Sequence, residues 1–232
     1  MRTSLRVAGW GTLGFAVAFF ATFVINALIN TVFEQYTPPE YPLAAEMAAN
    51  FGFGVLFMAM WSTCGVALGI AAVGLAAFAW RDGSLAGRIC ATFGTIASAG
   101  WLLSGAAALA QRTALLNGSI AAVQADPAAE RAVIEGLFIS VHIGGILFAI
   151  AAVPWLGLAA VGVARRASKT VAAFLWVAAL APFAGFAILG AQYGILVVMV
   201  CFAVVGPILL RRARRTPEFE APVPVDAVVA AA

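Results

Sequence analysis

In 232 residues, 64% of positions are hydrophobic, only 10% are charged, and the formal net charge is +3. Soluble domains average roughly 45–50% apolar and 25% charged residues, so this chain cannot hide its apolar surface from water and needs lipid as its solvent. One lysine among thirteen cations, with abundant alanine and glycine, fits a GC-rich bacterial genome.

Six uncharged apolar runs can be drawn, at about 7–30, 54–80, 89–110, 136–164, 171–189 and 194–210. Roughly 18 or more apolar residues in sequence read as a membrane-spanning helix. The predicted fold class is therefore all-α, a polytopic transmembrane bundle of about six spans occupying residues 1–215. The first run follows Arg2 and Arg6, and Ala16-Val17-Ala18 resembles a signal-peptide cleavage site. Its apolar stretch continues to Ile29, longer than a signal h-region, so it reads as an uncleaved span.

The connection 31–53 carries Pro38, Pro39 and Pro42, which favour an extended chain before a short helical turn. In the second run, Gly65 and Gly69 form a GxxxG, and Gly94, Ser98 and Gly105 recur along the third. Small residues let helix backbones approach in lipid, and the Gly65/Gly69 face is offered to a neighbouring helix or to a second copy of the chain. The connection 111–133 holds an Asn117-Gly118 turn signal and then Asp126-Pro127, an N-cap with proline at the first helical position. The fourth helix should begin there, run nearly forty residues, about 55–60 Å, and project beyond the membrane. Gly190-Ala191-Gln192-Tyr193 reads as a tight turn between the last two spans. Pro154, Pro182 and Pro207 each fall within a span, where proline removes a backbone hydrogen bond and kinks the helix. The tail, 216–232, is proline-rich and acidic and reads as disordered. Ile70-Ala71-Ala72-Val73 recurs as Ile150-Ala151-Ala152-Val153, ahead of a basic loop in both cases, as duplicated hairpins would show.

Eleven cations, among them Arg2, Arg6, Arg81, Arg88, Arg165, Arg166, Lys169 and the group from Arg211 to Arg215, fall on one side of a six-span arrangement. Only Arg112 and Arg131 fall on the other, with Glu34, Glu40, Glu46, Asp126, Glu130 and Glu135. Positive loops stay in the cytoplasm, which puts both termini inside. The positive charge thus reflects orientation in a membrane, and no nucleic-acid partner is expected.

Most polar side chains near the spans gather toward the outer side. Asn26, Asn30, Gln111, Arg112, Glu135 and His142 are the candidate ligand-binding residues, with Gln192 at the same depth. Glu135 lies seven residues before His142 on one helix face, and imidazole titrates near neutrality. Such a pair suits proton or metal-linked chemistry, and equally an interfacial histidine bonded to a neighbouring helix. No metal site or cofactor is predicted, because zinc wants several His or Cys ligands. With one histidine, the only haem arrangement open to one chain is a single-histidine one, with Met58, Met60 or no second ligand. Cys64, Cys90 and Cys201 all lie inside spans, Cys64 and Cys90 at different depths, and read as small packing residues. Trp10, Trp80, Phe19, Phe20, Phe33, Tyr36 and Tyr41 fit interfacial aromatic belts, while Trp61 and Trp101 lie deeper, to line a cavity or fill the bundle. No GxSxG, Walker loop, HExxH or paired intramembrane carboxylates occur, so nothing points to an enzyme.

Arg6-Val7-Ala8-Gly9 opening the first span, with His142-Ile143-Gly144-Gly145-Ile146-Leu147 in a later one, resembles small bacterial multi-pass membrane families of unknown function. The resemblance implies an inner-membrane bundle and assigns no functional residue. Two functional readings compete: an accessory, regulatory or sensor-type component, free-standing or part of a larger membrane complex, and a small transporter or lipid-binding protein.

Overall fold

The computed structural model describes residues 1–33, 51–80, 84–116, 127–185 and 191–216, with backbone alone for parts of the helices at the end away from the termini. Six helices follow one another: α1 Arg2–Phe33, α2 Phe51–Ala79, α3 Leu85–Leu116, α4 Pro127–Arg166, α5 Lys169–Ala184 and α6 Ala191–Arg215. No strand occurs among the described residues, and the fold is the all-α bundle that the hydropathy runs predict.

Five helices, all but α5, contain a segment long and apolar enough to cross a membrane. In α5 only 16 residues are helical, about 24 Å against a hydrocarbon core of about 30 Å. Six expected spans thus become five of spanning length and one shorter apolar helix among the described residues.

Helix bounds also differ from the apolar runs, since a helix need not stop where its apolar stretch does. α1 reaches Phe33 and α3 reaches Leu116, so the expected loops 31–53 and 111–133 are helical at both margins. Pro127 opens α4, as the Asp126-Pro127 pair predicts, and its 40 residues extend about 60 Å. Ala191, Gln192 and Tyr193 form the first turn of α6 rather than a turn ahead of it. Pro38, Pro39, Pro42, Asn117-Gly118, Asp126 and the tail beyond Thr216 lie outside the described residues.

Each helix packs on its neighbours in sequence, α6 returns against α1, and α2 also touches α4, so the six form a closed ring. The contacts run antiparallel around it. Gly11 meets Ala71 while Gly74 meets Ala8, Gly65 meets Leu102 while Gly105 meets Met58, and Gly9 meets Leu210 while Gly206 meets Leu13. The start of α1 and the end of α6 therefore lie at one end, together with the end of α2, the start of α3 and the α4–α5 turn. Close backbone approach sets the α1–α2 spacing: a Cβ on Gly11 would overlap the Ala71 backbone, and one on Gly74 the Ala8 backbone. In lipid such packing, rather than hydrophobic exclusion, draws helices together. The Gly65/Gly69 face is taken by α3 of the same chain, through Leu102 and Ser98, and so is not free for a second copy.

The terminal end is also the basic end. Arg2, Arg6, Arg88, Arg165, Arg166, Lys169, Arg211, Arg212, Arg214 and Arg215 sit on the last or first turns of helices that finish there. Two of these arginines serve carbonyls that a helix C-terminus leaves without intrahelical donors. Arg166 of α4 donates to the Phe78 carbonyl of α2 at 3.0 Å, and Arg212 of α6 donates to the Ala167 carbonyl after α4 at 2.7 Å. The Arg165 guanidinium lies 5.9 Å from the centre of the Trp80 ring, a cation–π distance. Between α4 and α5, Ser168 holds an extended φ of −153° and its hydroxyl accepts from the Val171 N–H, capping α5.

Replacing Gly74 by leucine should force α1 from α2 and cost about 1–3 kcal/mol or more. A Cβ at Gly145 meets nothing within 4 Å, so Gly145→Ala should stay within about 0.5 kcal/mol. Unfolding in detergent, by heat or by SDS titration, measures both.

Candidate functional site

The antiparallel register brings the backbones of the sequence-predicted polar residues toward one end of the ring. Gly144 of α4 lies against Gly100 and Ser104 of α3, and Gly105 of α3 against Met58 and Ser62 of α2. Extended outward, the same register sets the backbone of Asn26 on α1 level with Gln111 and Arg112 on α3 and with Glu135 on α4. Asn30 stands about one turn beyond that level, and His142 about two turns below Glu135. All six are on helices, at the end opposite the basic one. Glu135 is exposed on α4 and makes a contact of its own. The side chains of Asn26, Asn30, Gln111, Arg112 and His142, and likewise Gln192, lie outside the described residues.

Beneath this level the ring is filled by aromatic side chains. Phe15 of α1, Trp101 of α3, Phe148 and Trp155 of α4 and Phe202 of α6 are all fully buried. Phe15 stacks on Phe148 across the ring at 6.4 Å and meets Trp101 edge-on at 5.8 Å and Phe202 at 5.6 Å. Trp101 also meets Phe19 at 5.9 Å and Phe148 at 6.3 Å, and Trp61 of α2 lies 4.5 Å from it. Trp155 continues the cluster, edge-on to Phe148 at 6.5 Å and to Phe202 at 6.3 Å. Rings from five helices therefore meet on the axis, each pair within the range where edge or offset contact is favourable.

Trp101 thus fills the bundle rather than lining its surface, and Phe19, expected in an interfacial belt, belongs to this interior. Trp10 and Phe20 do face outward, as expected. The indole N–H groups of Trp101 and Trp155 are buried without an oxygen partner. In water that would be a large penalty; against a lipid reference, which offers no acceptor either, it is smaller. Gly94 makes room for the second indole, since a Cβ there would come within 2.9 Å of Trp155 Nε1.

Hydroxyl and thiol groups pin the helices around the rings. Cys64 of α2 lies beside Thr22 of α1, and Ser98 Oγ donates to the Gly65 carbonyl between α2 and α3 at 2.7 Å. Between α3 and α4, the Gly144 N–H donates to Ser104 Oγ at 2.8 Å and Cys90 Sγ donates to the Trp155 carbonyl at 3.5 Å. Thr12 and Thr22 also return their hydroxyls to their own helix, at Ala8 and Ala18. The buried polar side chains among the described residues are these two threonines with Ser98 and Ser104. All three cysteines are buried free thiols, the packing role read from the sequence.

The α4–α5–α6 side is built otherwise. Its seams are apolar, and each of its helices contains a proline, Pro154, Pro182 and Pro207. A Cβ on Gly157 would come within 3.1 Å of the Trp176 ring, and one on Gly194 within 2.8 Å of Pro182 Cα. Counting from these contacts sets Pro154 and Pro182 within about one turn of each other along the bundle, with the start of α6 alongside.

Chemically, the described interior offers dispersion and quadrupole contacts, not ionisable groups. No three His, Cys, Asp or Glu residues converge on a metal position among the described residues. Phe15, Phe148, Trp155 and Phe202 escape a reading by sequence because a lipid-facing ring and a core ring are both apolar. The one available signal is that a small residue, Gly94, stands opposite Trp155.

Cutting Trp101 to alanine should cost about 3–5 kcal/mol and loosen Phe15, Phe19 and Phe148 together. Trp176→Ala, at a side chain 42% exposed, should cost far less. SDS-titrated unfolding separates the two.

Compared with protein-family models, curated proteins and solved structures, the chain gives no match to any of them, and its role has to be read from its own residues.

Proposed function

We propose that this chain is an accessory, regulatory or sensor-type component of a bacterial cytoplasmic membrane, with the basic end and both termini in the cytoplasm and the Asn26–Arg112–Glu135 level facing outward. An apolar helical bundle is compatible with an integral membrane protein, and the clustering of cations at the terminal end favours that orientation. The observation that carries the reading is the aromatic cluster. Rings from five helices close the axis below the polar level, so the polar level has a floor rather than a passage. A site of that kind suits sensing or assembly: Asn26, Asn30, Gln111, Arg112, Glu135 and His142 would meet a ligand or a partner subunit from outside without conducting it.

One observation favours the second reading, a small transporter or lipid-binding protein. Kinks at Pro154 and Pro182 fall near the same depth in adjacent helices, on the side of the ring without hydroxyl or thiol pins among the described residues. A movement of α5 and α6 against the pinned α2–α4 part would open a path between helices instead of along the axis.

Native mass spectrometry of the chain extracted gently from its own membrane distinguishes the two. The accessory reading expects the mass of a second polypeptide in fixed ratio, and Glu135→Gln should weaken that association while leaving the chain folded. A bare chain that moves solute in reconstituted vesicles, and loses that activity with Glu135→Gln or His142→Ala, would overturn it in favour of the transporter.

A further inference from the structure

Around the turn at Ala167 and Ser168, three helices bring cations together, with no carboxylate on the turn or on the adjoining helix ends among the described residues. Arg165 and Arg166 end α4, Lys169 begins α5, and Arg212 reaches the turn from α6 with its Ala167 bond of 2.7 Å. Arg211 and Arg215 stand on the same last turns of α6 and are exposed, as is Lys169. The arginine groups are held by carbonyls and an indole: Arg166 on Phe78, Arg212 on Ala167, Arg165 over Trp80. Those partners fix the side chains and leave their charge in place. A guanidinium carries five N–H donors, and each carbonyl bond shown uses one.

The depth of this cluster identifies what would neutralise it. The apolar segments of α4 and α6 that are suited to crossing a membrane end at Arg166 and Arg215, so the guanidinium groups stand where hydrocarbon gives way to headgroups. We propose that the α4–α5 turn, with Lys169, Arg211, Arg212 and Arg215, is a binding site for the phosphate of an anionic phospholipid. Its acyl chains would lie along the exposed apolar faces of α5 and α6, where Trp176, Val177, Leu180, Val197, Val200 and Val204 face outward. Cation clusters at this depth attract anionic headgroups by charge, and planar guanidinium groups pair phosphate oxygens in parallel. The positive end of the α5 dipole adds to the field there without defining the site.

The test uses the full chain in detergent and in nanodiscs of phosphatidylcholine with or without phosphatidylglycerol. Native mass spectrometry counts retained lipid, and inorganic phosphate serves as the free-anion probe. Phosphatidylglycerol should be retained in preference to phosphatidylcholine, and inorganic phosphate should not displace it. Lys169→Glu should lower phosphatidylglycerol affinity on the order of 30-fold. Arg88→Glu reverses an equally exposed charge on α3, two helices away around the ring, and should lower it far less. Melting temperatures of both variants should match the parent. Equal losses from the two variants would show a diffuse basic surface and overturn the assignment to the turn. Tight inorganic phosphate binding with no preference among lipids would overturn the lipid assignment.

Discussion

Aromatic rings meeting on the axis set the distance at which six helices close into a ring. Phe15 touches side chains of α3, α4 and α6 at once, and Trp101 gathers α1, α2 and α4. Lipid tails are as apolar as these rings, so burial alone gives helices little reason to associate in a bilayer. Shape must supply the difference, and ring pairs at edge or offset geometry contribute about 0.5–1.5 kcal/mol each beyond their area. The glycines follow from the same constraint: bulk on the axis requires small residues at the seams, which is why Gly94 stands beside Trp155 and Gly144 beside Ser104.

From that packing the two ends of the molecule acquire different characters. At the terminal end, arginines from α4 and α6 reach carbonyls at the ends of α2 and α4, so the cations gathered there also join helices. At the other end the register sets the backbones of Asn26, Gln111, Arg112 and Glu135 near one level, with the aromatic cluster between them and the basic end. Polar pins run from α2 to α4, while the α5 and α6 seams rely on packing and on Arg212. An unevenly fastened ring of this kind concentrates any motion in its proline-bearing half, since local opening is drawn from the least stabilised elements.

Architecture was largely legible in the sequence because lipid imposes a coarse rule: uncharged runs become helices, and cations mark one side. Asp126-Pro127 even located the start of α4, nearly thirty residues ahead of its apolar centre, because capping chemistry is local. The described part of α5 is shorter than its apolar run: 16 residues, Lys169–Ala184, are helical among the described residues, with Pro182 inside that stretch. The interior was hardly legible, since periodicity fails when both faces of a helix are apolar. Ile70-Ala71-Ala72-Val73 and Ile150-Ala151-Ala152-Val153 show the limit well. In both copies the two alanines are buried and the branched residues face outward, the reverse of a soluble helix. The backbones of the candidate polar residues fall toward the end opposite the basic one, but which side chains converge depends on directions that composition does not encode.

The most direct test of a sealed interior uses thiols the chain already carries. Cys64, Cys90 and Cys201 are buried free thiols on α2, α3 and α6, with Cys90 against the Trp155 carbonyl. A water-soluble maleimide should leave all three unmodified in the folded protein and modify all three after SDS unfolding, with Ser168→Cys at the basic end as the reactive control. Labelling of Cys64 or Cys201 in the folded state, at a rate near that of the control, would mean that water reaches the axis and would contradict the closed floor.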